Sequence, residues 1–319
     1  MTNGNITALI LAIIVFGYLS IHTATNAPLI EERRTANVVQ DFPVFSPPSQ
    51  SPPPPKAMAR QSGGDSVSTA IEFSTESRAA LLMDELGTLL YEKNQNEILP
   101  IASLTKLMTA VVTIDYAKLD DTAILSEQAI QTEGDVVGFK TGETFNISDL
   151  VSAMLIPSSN DAATTLEEYF FAKDLNLAAL MNEKAKEIGM NKTHFKNPSG
   201  LDEENHESTA HDLSLLIRYT LGNKKYDSLW KTSRLQSAEI VSKNTGSTSS
   251  LQAGESHRLE SSNKLLGEIS GIYGGKTGKT QNAGECIVLI VERNGKKYIG
   301  VILGSTNRFE EMKNMLKLT

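Results

Sequence analysis

Ser103 and Lys106 stand three residues apart at the head of an apolar-periodic run made of Leu104, Leu107, Met108, Val111, Val112 and Ile114. Positions i and i+3 of a helix are neighbours on one face, so this spacing sets a hydroxyl beside an amine. At a helix start, free backbone N–H groups and the dipole favour developing negative charge. A serine whose proton is drawn off by an adjacent lysine is a nucleophile suited to acyl transfer. The spacing alone is weak. Ser228-Leu-Trp-Lys231 and Ser261-Ser-Asn-Lys264 repeat it, and the plain reading of a lone S-x-x-K is a serine cap followed by a solvated lysine.

Two polar triplets give Ser103 its company. Ser158-Ser159-Asn160 lies between two helical runs, and Lys276-Thr277-Gly278 lies on a strand that leads into a hairpin. Each has copies: Ser242-Lys-Asn244, Ser261-Ser-Asn263 and Ser305-Thr-Asn307 are S-x-N, and Lys140-Thr-Gly142 is K-T-G. The order S-x-x-K, S-x-N, K-T-G, on a helix start, a helix–helix loop and a strand respectively, is met best by Ser103/Lys106, Ser158/Asn160 and Lys276-Thr277-Gly278. That conjunction is far more specific than any of its parts.

With these motifs the chain resembles the low-molecular-weight penicillin-binding proteins, the serine-type D-Ala-D-Ala carboxypeptidases of peptidase family S11. The resemblance runs from about residue 75 to 316. It takes in Ala80-Leu-Leu-Met-Asp84, Tyr91-Glu-Lys-Asn94, Pro100 to Thr109, Thr132-Glu-Gly134, Leu155 to Ala163, Phe195 to Asp202, Ser208-Thr-Ala210 and Gly275 to Cys286. It departs at Ser159, where a smaller residue such as glycine is common. Many relatives also continue into a β-rich C-terminal domain and an anchor helix, a role that the N-terminal segment is expected to take here.

The resemblance implies roles. Ser103 Oγ attacks the carbonyl of the D-Ala-D-Ala bond and forms an acyl-enzyme, and Lys106 takes the serine proton. A free lysine titrates near 10.4, so burial and the second cation Lys276 must make Lys106 neutral. Ser158 relays a proton to the leaving D-Ala. Asn160 holds a substrate amide and orients Lys106, and Lys276, Thr277 and Gly278 bind the substrate, the first two at its terminal carboxylate. The backbone N–H groups of Ser103 and Lys279 form the oxyanion hole. The implied substrate is the peptidoglycan stem pentapeptide, β-lactams are inhibitors, and no cofactor or metal is required. A β-lactamase on the same fold and a slowly turning-over β-lactam sensor are the rival readings, although no convincing deacylating glutamate is seen. His206-Glu-Ser-Thr-Ala-His211 looks like a zinc motif but is one residue too long, because histidines five apart do not share a helix face as H-E-x-x-H does.

Positioning these residues requires a particular arrangement of elements. Ala79-Ala-Leu-Leu-Met83 and Thr88-Leu-Leu-Tyr-Glu92 read as a hairpin around Asp84 to Gly87. A mainly helical, loop-rich stretch follows from about 115 to 265, with its clearest helical periods at 147–156, 162–169 and 212–219. Strands return at 272–279 and 284–292, and Asn294-Gly295 turns the chain into 297–303; 308–316 closes as a helix. Strand, helical block, then strand implies one antiparallel sheet assembled from both chain ends with an inserted helical layer. The expected class is α/β (α+β), β-lactamase/transpeptidase-like.

The chain has 319 residues, with a formal charge of −8 that argues against nucleic acid as partner. The single cysteine, Cys286, excludes an intrachain disulfide and sits in the apolar run Cys286 to Val291, where a small buried residue is expected. Residues 6–21 are almost wholly apolar and precede the first charged side chain, Glu31. No basic residue precedes the run and no clean cleavage site follows it, so residues 1–30 are expected to stay as a membrane anchor. The reading is a single-pass bacterial membrane protein with its catalytic domain outside, or a secreted one if the segment is cleaved. Arg33 and Arg34 just after the span conflict with an outside location. Residues 31–64 read as a Pro/Ser-rich linker: positions 43–55 hold seven of the eleven prolines, a polyproline-type spacer with about 40 Å of reach. Residues 65–319 form the expected catalytic domain.

Overall fold

The computed structural model describes residues 74–243 and 254–319. The expected anchor at 1–30 and linker at 31–64 lie outside these residues. Strands β1 (Ala79–Asp84) and β2 (Leu89–Lys93) form the first hairpin, antiparallel with a register shift between Leu82 and Met83. A 3₁₀ turn (Ala102–Leu104) runs into α1 (Thr105–Tyr116). Next come β3 (Thr122–Ile124), the one-turn α2 (Glu127–Ile130), β4 (Thr144–Asn146), α3 (Ile147–Leu155), α4 (Asn160–Phe171), α5 (Leu177–Ile188), α6 (Ala210–Leu221) and α7 (Asp227–Ser233). Strands β5 (Ser237–Val241) and β6 (Ser256–Glu260) precede β7 (Ile272–Thr280), β8 (Gly284–Arg293) and β9 (Lys296–Ser305), and α8 (Arg308–Met315) ends in a final 3₁₀ turn.

The main sheet has the order β2-β1-β9-β8-β7, with every pairing antiparallel, so the chain's two ends meet where β1 lies beside β9. Both faces of this sheet are covered. Ala79, Leu81, Met83, Val288, Ile290, Ile299 and Val301 join the large core shared with α1, α3 and α4. Their alternating neighbours Ala80, Leu82, Ile287, Leu289, Val291 and Ile302 pack on Met312, Met315 and Leu316 of the C-terminal helical segment. Side chains of a strand alternate between faces, and a sheet buried on both sides therefore shows an unbroken apolar run. This explains Cys286 to Val291, in which Cys286 is fully buried and its thiol is pushed up to about 11 by burial.

Local signals account for several boundaries. Asn294 and Gly295 both have positive φ, 53° and 74°, as a two-residue type I′ hairpin needs. Ser159 caps α4 by accepting from Ala162 N, and Thr209 caps α6 by accepting from Asp212 N. The middle of the chain is less purely helical than its sequence suggests. Two ribbons, β3–β4 and β5–β6, lie within it. β3 and β4 have three residues each, too few for a period to register.

Candidate active site

The nucleophile candidate sits on a strained turn. Ser103 occupies the middle of the 3₁₀ turn rather than the first turn of α1, and stays half-buried. The preceding Ala102 has φ +49°, a left-handed conformation that alanine avoids. Two contacts hold it: Thr105 Oγ1 donates to the Ala102 carbonyl at 2.9 Å, and Gly200 packs so close that a Cβ there would lie 2.0 Å from the same oxygen.

Lys106 follows on the first turn of α1 and is fully buried. Its Nζ lies 2.8 Å from Ser103 Oγ, 2.6 Å from Asn160 Oδ1 and 2.6 Å from the Ser199 carbonyl. Burial, assisted by the charge of Lys276, holds its pKa well below the usual lysine range, against the pull of Asp135 and Asp161. Lys276, on β7 at the sheet edge, is 1% exposed. Its Nζ donates to Ser158 Oγ at 2.7 Å and to the Thr277 carbonyl at 2.8 Å. Burial brings its pKa down to about 7, with Arg308 adding to the shift and Asp135 opposing it.

Ser158 stands between α3 and α4 with φ +76°, a second non-glycine residue in the left-handed region. Asn160 is fixed on both sides: besides accepting from Lys106, its Nδ2 donates to Glu133 O at 2.6 Å, and its backbone N–H donates to Asp135 O at 2.7 Å. Gly134 between those carbonyls has φ +91°, and a Cβ there would meet Asn160 Nδ2 at 2.6 Å. Gly278 lets β7 close on the nucleophile turn, since a Cβ would fall 2.7 Å from Ser103 N. Thr277 Oγ1 lies 2.7 Å from Ser262 Oγ. Lys279 points away, its Nζ 3.1 Å from Glu285 Oε1, so any role in the site falls to its backbone N–H.

The structure thus brings Ser103, Lys106, Ser158, Asn160, Lys276, Thr277 and Gly278 to one place. Four contributors went unnoticed as site residues. The Ser199 carbonyl belongs to Asn197-Pro-Ser-Gly200, whose composition announces a turn but not what the turn touches. Glu133 and Asp135 act through backbone carbonyls, which carry no sequence signal, and Asp135 also through its charge on Lys106 and Lys276. Arg308 donates to the Gly278 carbonyl at 2.6 Å, and its buried Nε has no hydrogen-bond partner among the described residues. The motif copies are placed differently, although Ser262 of the 261–264 copy touches Thr277. Ser228 and Lys231 are both exposed on α7, Lys264 is exposed, and Lys140 is exposed with Nζ 2.6 Å from both carboxylate oxygens of Glu255.

His206 and His211 do not form a metal pair. His206 uses both ring nitrogens on the protein, at Thr105 Oγ1 and Lys196 N, and His211 sits half-buried at the start of α6 beside Asp212. Among the described residues Glu143, Glu255 and His257 bring ligand-type atoms within 4.8 Å of one another. That group already has its cation, because Lys140 sits on Glu255, and His257 Nε2 lies 2.9 Å from Glu143 Oε1.

Known proteins resemble this chain in both sequence and fold. The family described as D-alanyl-D-alanine carboxypeptidase matches residues 66–307. The chain is 30% identical over 270 residues to D-alanyl-D-alanine carboxypeptidase DacF of Bacillus subtilis, covering 83% of this chain and 65% of that protein. It is 32% identical over 215 residues to D-alanyl-D-alanine carboxypeptidase DacB2 of Mycobacterium tuberculosis, covering 67% of this chain and 69% of that one. A crystal structure of a D-alanyl-D-alanine carboxypeptidase from Mycobacterium tuberculosis H37Rv superposes with a TM-score of 0.67 and 27% identity, over 77% of this chain and 91% of the other.

Proposed function

The chain belongs to the D-alanyl-D-alanine carboxypeptidase family, and on that basis we propose that it removes the terminal D-Ala of peptidoglycan stem pentapeptides through an acyl-enzyme on Ser103. One observation carries the reading: the set of partners around Lys106 Nζ. A neutral amine has two hydrogens and one lone pair. Asn160 Oδ1 and the Ser199 carbonyl can only accept, so they take the two hydrogens. The lone pair is left facing Ser103 Oγ at 2.8 Å, as a general base requires.

We propose the following reaction, which this geometry supports. Ser103 Oγ bonds to the substrate carbonyl carbon as its proton passes to Lys106. The resulting ammonium has three donors for the same three oxygens. Charge that builds on the carbonyl oxygen is met by the N–H groups of Ser103 and Lys279. The C–N bond then breaks as Ser158, hydrogen-bonded to Lys276, relays the proton that Lys106 took from Ser103 to the departing D-Ala amine, which leaves Lys106 neutral for the attack of water. Lys276 and Thr277 hold the terminal carboxylate, with Arg308 adding positive charge at the same end. Water cleaves the ester and restores Ser103. A β-lactam presents the same kind of carbonyl and is expected to acylate Ser103.

Incubation with a D-Ala-D-Ala pentapeptide and, separately, with penicillin tests the reading. Released D-Ala supports it. Rapid penicillin hydrolysis without D-Ala release would identify a β-lactamase instead, and stable labelling with neither a sensor. We further propose that residues 1–30 anchor the protein, that 31–64 space the catalytic domain from the membrane, and that this domain lies outside the cytoplasm. Among the described residues no helix is long and apolar enough to cross a membrane; the proposal rests on the apolar run at 6–21. Mass spectrometry of the native protein decides it: an N-terminus between Ala24 and Pro28 would show cleavage.

A further inference from the structure

A buried histidine stands behind the nucleophile turn, and acyl transfer as derived above leaves it unused. His206 is 3% exposed, with the ring of Phe195 edge-on to it at 6.0 Å. Lys196 N–H donates to His206 Nδ1 at 3.2 Å, so Nδ1 carries the lone pair. The hydrogen is therefore on Nε2, which donates to Thr105 Oγ1 at 2.8 Å. The Thr105 hydroxyl, its lone pair taken, donates onward to the Ala102 carbonyl at 2.9 Å. Burial holds the imidazole neutral with a pKa down at about 4; His194 and Lys106 push the same way, and Glu203 and Asp202 oppose them.

The carbonyl at the end of this chain belongs to the peptide whose other half is the Ser103 N–H. A trans peptide is planar, and its C=O and N–H point in opposite directions. Pinning the Ala102 oxygen toward Thr105 and Gly200 therefore aims the Ser103 N–H the other way. Gly278 of β7 stands against that nitrogen. Ala102 is held at φ +49°, so the turn does not rest in this orientation by local preference.

We propose that His206, acting through Thr105, is a positioning residue that sets the Ser103 N–H as an oxyanion donor. The proposal rests on the acyl-enzyme reading of Ser103. It separates the two nitrogens of the ring. His206→Gln keeps a donor near the Nε2 position and loses the acceptor for Lys196. His206→Asn keeps an acceptor near Nδ1 and loses the donor to Thr105. Thr105→Val cuts the same chain one link later and preserves the branched shape.

The experiment measures penicillin acylation of the full chain by rapid mixing, resolving non-covalent binding from the acylation step, with melting temperature alongside. Loss of a whole oxyanion donor costs about 10²–10³ in rate, so a misaimed one is expected to cost about 10- to 100-fold. That loss is expected for His206→Asn and Thr105→Val, in the acylation step and not in binding, with no further loss in the double variant. His206→Gln should stay within about threefold of the unsubstituted protein, as conservation of the donor requires. Equal losses for Gln and Asn, a larger loss for Gln, or acylation that falls only in step with melting temperature would overturn the proposal. Should His206→Asn fail to fold, Thr105→Val alone decides, and an unchanged acylation rate refutes. Absence of acylation in the unsubstituted protein would instead remove the Ser103 reading, and this proposal with it.

Discussion

Lys276 lies 1% exposed on β7 with its amine 2.7 Å from Ser158 Oγ. Lys140, which opens the same Lys-Thr-Gly triplet, stands in an exposed turn with its amine 2.6 Å from Glu255. Burial lowers the first lysine's pKa to about 7, while the Glu255 carboxylate raises the second above the usual range. The difference shows that a motif's chemistry comes from what surrounds it. A desolvated amine near a second buried amine can exchange protons near neutral pH, whereas an ion-paired amine in water is a permanent charge. The two Ser/Lys pairs teach the same lesson. Lys106 is fully buried beside Ser103, but Ser228 and Lys231 are both in solvent.

The largest effect that would break this contrast is at the nucleophile. Ser103→Ala should abolish D-Ala release and covalent penicillin labelling, a loss of at least about 10³-fold, with circular dichroism unchanged. Labelling that persists at Ser228 or Ser261 would move the nucleophile to a copy of the motif.

Lys276→Ala should lower kcat/KM on a D-Ala-D-Ala peptide by roughly 10- to 100-fold, the value of a lost charge-assisted hydrogen bond of about 1.5–3 kcal/mol. An equal or larger loss in Lys140→Ala would mean that the wrong triplet has been placed in the site.

The two lysines also predict opposite pH slopes of stability. The folded pKa of Lys276, about 7, lies below the ~10.4 of an unfolded lysine. Between these values the unfolded chain binds more protons, so this residue makes stability rise from pH 7 to 10. Lys140 has a raised folded pKa, so its contribution is present below the unfolded value and is lost as pH climbs through the folded one. Urea unfolding at pH 7, 8.5 and 10 should show a shallower upward slope in Lys276→Met, with the part due to buried Lys106 remaining, and no such loss in Lys140→Met. The same slope in wild type and Lys276→Met would mean that Lys276 is not desolvated in solution.

The smallest effect is at Lys140 itself. Lys140→Ala should leave kcat/KM within about twofold of wild type, since surface substitutions away from a site change little. Steady-state kinetics on the same peptide checks it.

Much of the fold could be read directly. The first hairpin, the Asn294-Gly295 turn and the helices near 147–156, 162–169 and 212–219 appear where period and turn chemistry place them. Helix α5 was not singled out, and the β3–β4 and β5–β6 ribbons were hidden because short strands with exposed faces leave no strong period. Ser103 proved to lie on a 3₁₀ lead-in instead of the helix proper, a distinction that spacing cannot make because i and i+3 neighbour each other in both.

By itself, the sequence determined the candidate chemistry and the order of its three motifs, because these depend on residue types and on short spacings that local backbone geometry reproduces. Tertiary structure alone brought those three motifs together and buried their lysines. Lys106 reaches Asn160 and Ser199 across 54 and 93 residues of chain, Lys276 reaches Ser158 across 118, and Thr105 reaches His206 across 101. Contacts at such separations arise only when the sheet closes on the helical layer. The same closure strips water from the two lysines, and desolvation, more than residue identity, is what makes an amine a base.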